Sequence, residues 1–155
     1  MIMNRVFLCV CVLTALLFGA TPQSLVQWMD YSVALEKAKT EPRLIFVDMY
    51  ADWCVPCRVM DKNVYMNPSV ASTLNKKFYP VKLNVDSEGS IVCDGKKASP
   101  KQCFAEIWEL NVLPSFVLIA PKGLSILTVT DSMSPQEMLM LLDKFLEKEQ
   151  EWIER

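Results

Sequence analysis

Apolar and polar positions change rhythm along this chain, and each change marks an element. Residues 25–29, a short apolar stretch, predict a first strand. Tyr31, Ala34, Leu35 and Ala38 then recur at helical spacing, which predicts a helix over residues 31–39, capped by Asp30 and ended by Glu41-Pro42. Residues 43–50 form an apolar run with little alternation, as a central strand covered on both faces requires. A helix is predicted to open at Cys54. Asn67-Pro68 reads as cap and first turn of a helix reaching Lys77, since proline is tolerated at the first helical position. Residues 78–85 predict a third strand, and 86–99, rich in Gly, Ser, Asp and Lys, a loop. Ser99-Pro100-Lys101-Gln102 is a helix-start box, ahead of a helix bearing Cys103, Phe104, Ile107, Trp108 and Leu110. Residues 115–120 and 124–130 are two strands joined by Pro121-Lys122-Gly123, a hairpin by length. Ser134-Pro135-Gln136-Glu137 opens a last helix, whose buried face is Met138, Leu141, Leu142 and Phe145. Strands alternating with helices and closed by a hairpin predict an α/β fold, a central mixed sheet with helices on both faces.

The ends and the charge refine this picture. Arg5, the apolar residues 6–18 and the small pair Gly19-Ala20 predict a secretory signal over residues 1–20, leaving one domain over 21–155. The apolar run is short for a membrane span, and an uncleaved anchor is the alternative. Cys9 and Cys11 lie inside that run and leave with it. Four cysteines remain, an even number suited to an oxidising compartment, and the predicted location is the periplasm. The net charge of −2, with no basic block, argues against nucleic acid as a partner. The chain contains no histidine, which excludes Ser-His and Cys-His catalysis and His-ligated metals.

The chemistry concentrates at Trp53-Cys54-Val55-Pro56-Cys57. Two residues between the cysteines let both sulfurs sit in the first helical turn, close enough to join. Cys54 falls at the helix N-terminus, where free backbone N–H groups favour its thiolate. Cys57, one turn further in, is expected to be the less exposed of the two. An outer nucleophile with an inner resolving thiol is what thiol–disulfide exchange needs. The competing readings are a zinc site and an inert disulfide. Zinc wants a second Cys pair or a Cys/His pair, and Cys93 and Cys103 are too widely spaced to supply one.

With these residues in place the chain resembles the thioredoxin superfamily at four separated points. They are Val47-Asp48-Met49-Tyr50-Ala51-Asp52-Trp53-Cys54, Lys82-Leu83-Asn84-Val85-Asp86, Val112-Leu113-Pro114-Ser115, and the terminal hairpin and helix. Within it the motif looks most like the C-terminal periplasmic domains of the DsbD type, and a free-standing domain of this kind resembles DsbH. The resemblance implies roles. Asp48 becomes the buried acid beneath the inner cysteine, where a desolvated carboxyl exchanges a proton with Cys57. Lys82 becomes the lysine beside that acid. Pro114 becomes a cis-proline facing the disulfide, and Leu113 and Trp53 become walls of the substrate groove. Taken singly, Asp48 could equally cap a strand, Lys82 be an exposed strand lysine, Pro114 end a helix, and Trp53 be plain apolar area. The chain departs from the common pattern at Tyr50, at Val55-Pro56, and in the loop that carries Cys93 and Cys103.

Reductase, oxidase, isomerase and a non-redox binding or chaperone module are the open jobs. Strong oxidants stabilise their reduced thiolate unusually well, often with a histidine in the motif. Val55-Pro56 is uncharged, so the pair is placed on the reducing side. No nucleotide-binding signature is present, so no cofactor is expected. The resemblance implies disulfide-bearing protein or small-molecule substrates and a protein electron donor, a membrane thiol transporter of the DsbD type, with the domain acting as a monomer. Cys93 and Cys103 are read as a structural disulfide. Asp94-Gly95 can turn the chain back, and Ser99-Pro100 opens the helix that presents Cys103. A second redox pair, or two free thiols, are the alternatives.

Overall fold

The computed structural model of the chain describes residues 24–147 and 149–153; the predicted signal, with Cys9 and Cys11, lies outside them. A four-stranded sheet organises the fold, in the order β2-β1-β5-β6. Its strands are β1 (Ile45–Tyr50), β2 (Tyr79–Asn84), β5 (Ser115–Ile119) and β6 (Ser125–Thr130). β2 runs parallel to β1, while β5 and β6 pair antiparallel, so the sheet is mixed. The helices are α1 (Tyr31–Thr40), α2 (Val55–Asn63), α3 (Pro68–Lys77), α4 (Pro100–Gln102), α5 (Pro135–Glu147) and α6 (Glu149–Ile153). A small hairpin, β3 (Ile91–Cys93) with β4 (Lys96–Ala98), stands apart from the sheet.

Strand alternation splits the core into two layers. Ile45, Val47 and Met49 of β1, with Val117 and Ile119 of β5, pack with Tyr31, Ala34 and Ala38 of α1. Leu44 and Phe46, with Phe116 and Leu118, pack with Met60, Val70, Leu74, Met138 and Leu142 of the helices on the other face. This is why residues 43–50 carry no polar alternation: both faces of β1 are covered. Capping side chains fix the helix starts as their sequences require. Asp30 Oδ1 accepts from the Ser32 and Val33 N–H groups, and Asn67 Oδ1 from those of Ser69 and Val70. Ser134 and Glu137 bond reciprocally ahead of α5.

Three sequence expectations change. Residues 25–29 are not a strand; only Met29 bridges Val81. The Asn75 side chain takes up the Gln27 N–H and the Leu25 carbonyl, two groups a ladder would have used. The stretch 86–99 is not all loop, because Asp94 and Gly95, both at positive φ, form the tight turn of the β3–β4 hairpin. The fourth predicted helix is brief: α4 widens into a π-helix, Cys103–Ile107, and Leu110 lies beyond it. The wider turn brings Cys103 and Trp108, five residues apart, both into the core.

Candidate active site

Cys54 is the N-cap of α2, and its sulfur accepts the Cys57 N–H at 3.2 Å. The two cysteines are disulfide-bonded, with their Cα atoms 5.3 Å apart. Ala51 O accepts the Cys54 N–H at 3.0 Å, so the turn after β1 delivers Cys54 to the helix start in a fixed pose. Pro56, within the first helical turn, has no N–H to leave unsatisfied there. The expected difference in burial is slight: Cys54 is 3% exposed and Cys57 2%. The two differ instead in their neighbours. Trp53 and Val55, 67% and 58% exposed, flank Cys54 and make an exposed apolar surface around it.

The Trp53 ring is held in place. Its Nε1 donates to Asp86 Oδ2 at 2.8 Å, and Asn84 Oδ1 orders Asp86 through its N–H at 2.9 Å. Arg58 does not touch the sulfurs; its guanidinium donates to Asp52 O at 2.5 Å and closes the motif loop.

Asp48 lies on β1, 2% exposed, pointing to the same face as Phe46 and Phe116. Burial among these groups pushes its carboxyl up to about 7; Lys82 pulls the other way and Asp61 adds to the rise. Lys82 is the register partner of Asp48 on β2, and its Nζ lies 3.9 Å from Asp48 Oδ2. That cation is shared. Lys82 also bonds Asp61 of α2, and it sits over the rings of Tyr50 at 4.9 Å and of Trp28 and Tyr65 at 5.7 Å. Lys82 is therefore neither an exposed strand lysine nor a simple counter-ion of Asp48. The Tyr65 hydroxyl is buried without a hydrogen bond of normal geometry, yet it lies close enough to Asp48 to favour its charged form slightly.

The Leu113–Pro114 peptide bond is cis. Ser115 pairs with Met49, so Pro114 meets the end of β1 from which the Cys54 loop departs. Ser115 Oγ donates to Val112 O at 2.5 Å and contacts Thr130 Oγ1 at 2.8 Å, which anchors the bend. Leu113 is partly buried against the apolar cluster that holds Cys54 and Cys57. Cys93 and Cys103 are bonded to each other, with Cα atoms 6.0 Å apart, and both are fully buried in that same cluster. The bond ties the β3–β4 hairpin to the π-helix, and Asp94 fastens the hairpin to β6 by accepting from Ser125 N and Oγ at 2.5 and 2.7 Å. No cluster of residues that could hold a metal occurs among the described residues.

Asp61, Tyr65, Asp86 and Trp28 were not legible as site residues. Asp61 is the one with a sequence signal: it falls seven residues after Cys54, two helical turns down α2, where an acid can reach back to β2.

Comparison with known proteins agrees with this geometry. The family profile described as Thioredoxin-like matches residues 27–121. The DsbD 2 thiol:disulfide interchange protein of Pseudomonas aeruginosa is 48% identical over 40 residues, 26% of this chain and 7% of that protein. DsbD of Pseudomonas fluorescens is 30% identical over 90 residues, 58% of this chain and 14% of its own length. The chain thus spans a small fraction of these DsbD proteins. A thioredoxin from Thermus thermophilus superposes with a TM-score of 0.64 at 24% identity, covering 80% of this chain and 89% of that one. A DsbH oxidoreductase superposes at 0.61 and 16%, covering 79% and 85%. The mixed sheet, the Cys54–Cys57 pair at a helix start and the cis-proline belong together in one family, and this chain is a member of the thioredoxin-like family, with the fold of a disulfide oxidoreductase.

Proposed function

We propose that this protein is an extracytoplasmic thiol–disulfide oxidoreductase that works in the reducing direction. The observation that carries the reading is the pairing of an N-capping Cys54 with a buried Asp48 whose carboxyl titrates near neutrality. The Cys54 thiolate attacks a substrate disulfide, forms a mixed disulfide and expels one substrate thiolate. Asp48 takes the Cys57 proton, directly or through one water, and the Cys57 thiolate attacks the Cys54 sulfur. The Cys54–Cys57 disulfide forms, the second substrate thiolate leaves, and two electrons have passed to the substrate. Trp53, Leu113 and Pro114 frame the groove in which an extended substrate lies. Lys82 steadies the charged form of Asp48, and the Cys93–Cys103 bond is structural, because it ties the β3–β4 hairpin to the π-helix and neither cysteine is a helix N-cap as Cys54 is.

A dithiol protein must then re-reduce the pair. A membrane thiol transporter of the DsbD type is the donor this reading assigns, and the periplasm the compartment; among the described residues no helix is long and apolar enough to cross a membrane. The test is the equilibrium potential of Cys54/Cys57 against glutathione. The uncharged Val55-Pro56 pair places it near thioredoxin's value of about −270 mV, and a value near the −120 mV or so of DsbA would overturn the reducing direction.

A further inference from the structure

Residues 24–29 cross the fold ahead of α1, joining the sheet only through the Met29–Val81 bridge, and they are held at several points. One side chain, Asn75 of α3, accepts from Gln27 N at 2.8 Å and donates to Leu25 O at 2.9 Å. Val26 is buried in the helical layer of the core. Met29 N donates to Pro80 O at 2.9 Å. Between these anchors stands Trp28, its ring edge-on to Tyr65 with centroids 4.8 Å apart and 5.7 Å from Lys82 Nζ. Ser24, Trp28, Asp61, Tyr65 and Lys82 together line an open cavity of about 370 Å³. Lys82, in the lining of that cavity, lies 3.9 Å from the Asp48 carboxylate.

We propose that residues 24–29 are a strap that shields the proton-transfer site from solvent, with Trp28 as its positioning residue, closing the Lys82 side of Asp48. The proposal rests on Asp48 serving Cys57 during exchange. The groups that face Asp48 are Lys82 from β2, Asp61 from α2 and Tyr65 from the turn after α2. β5 contributes Phe116, and the strap itself carries no charge. Removing the Trp28 ring has two opposed effects. Water reaches the Lys82 side of the carboxyl and eases its ionisation. Lys82 also loses one aromatic face, which loosens its hold on Asp48 and opposes ionisation. The second effect is the smaller, because Asp61, Tyr50 and Tyr65 still hold the ammonium group. Burial is the largest influence on Asp48, so the first effect decides the sign.

The test is single-turnover reaction of the reduced protein with the aromatic disulfide dithiobis(nitrobenzoate). Cys54 attack releases one coloured thiolate and Cys57 resolution a second, so the two steps are read separately across pH. Trp28→Ala moves the pH midpoint of the second phase to the acid side by about half a unit or more, and leaves the first phase unchanged. Trp28→Phe, which keeps a ring in place, restores the wild-type midpoint. In an Asp48→Asn background Trp28→Ala produces no further shift. Asn75→Ala, which releases the strap without touching the cavity, shifts the midpoint the same way and keeps the question decidable if the Trp28→Ala protein folds poorly. A second-phase midpoint that is unmoved or moves alkaline in Trp28→Ala and Asn75→Ala, beside an altered profile in Asp48→Asn, overturns the shield alone. A wild-type profile in Asp48→Asn overturns the role of Asp48 and the shield with it.

Discussion

Asp48→Asn stabilises this protein, and by an amount that depends on pH. A carboxyl that titrates at 3.8 when solvated and at about 7 when folded binds its proton more tightly in the folded state. Below the unfolded value both states are protonated and the group contributes nothing to the difference. As pH rises through that value the unfolded chain ionises first, and each further unit costs the fold about 1.36 kcal/mol until the folded group ionises too. Over the interval from 3.8 to about 7 the cost accumulates to about 4 kcal/mol, and it stays constant at higher pH. Asparagine has nearly the shape of the acid and no charge to desolvate. Lys82 is not orphaned by the change, because Asp61 still pairs with it. The Asn variant therefore gains close to nothing at pH 4 and up to about 4 kcal/mol at pH 8, a large share of the stability of an ordinary domain. Urea unfolding of the oxidised protein at pH 4, 6 and 8, with and without the substitution, measures the difference directly. An equal gain at pH 4 and pH 8, or a loss at pH 8, refutes the argument that burial without full compensation sets the state of this carboxyl. The same variant slows Cys57 resolution near neutral pH, so stability and exchange move in opposite directions.

The other outcomes concern the cysteines. Cys54→Ser abolishes disulfide reduction, whereas Cys57→Ser still attacks and stalls as a mixed disulfide, so substrates accumulate on Cys54; mass spectrometry that found the adducts on Cys57 in a Cys54→Ser protein would reverse the roles. The double change Cys93→Ala/Cys103→Ala lowers stability by about 2.7 kcal/mol in the chain-entropy account of a bond between residues 10 apart, with turnover largely kept. Turnover lost at unchanged melting temperature would instead make that pair part of the electron route.

What the sequence disclosed and what it withheld divide along a physical line. α1, α3 and α5 were readable to within a residue or two because each begins with its own capping side chain and carries its own periodicity, both of them local. The four strands of the main sheet were readable for the same reason, down to the apolar run of β1 that only Asp48 breaks. The motif placed Cys54 at a helix start because the strand, the turn and the helix are adjacent in the chain. The β3–β4 hairpin was missed although its Asp94-Gly95 turn is local, and the other two misreadings are places where a distant group takes over. Asn75, about fifty residues away, consumes the hydrogen bonds that would have made residues 25–29 a strand. The bond to Cys93 and the burial of Trp108 go with a π turn that no local preference for Cys103–Ile107 announces. The environment of Asp48 is of this second kind throughout. Its partner Lys82 comes from the strand register, Asp61 from the second turn of α2, Tyr65 from the turn beyond, and Trp28 from before α1. Their spacing in sequence has no period, and they meet only because two layers close over one sheet. The family resemblance supplied Asp48 and Lys82 as a pair, and it left out the second acid and the aromatic rings that divide the lysine's charge. That division matters for the chemistry. Burial outweighs the attraction of a lysine that is shared with Asp61, and Asp61 adds to the rise, so the carboxyl stands near 7, where the proposed proton exchange with Cys57 runs in both directions.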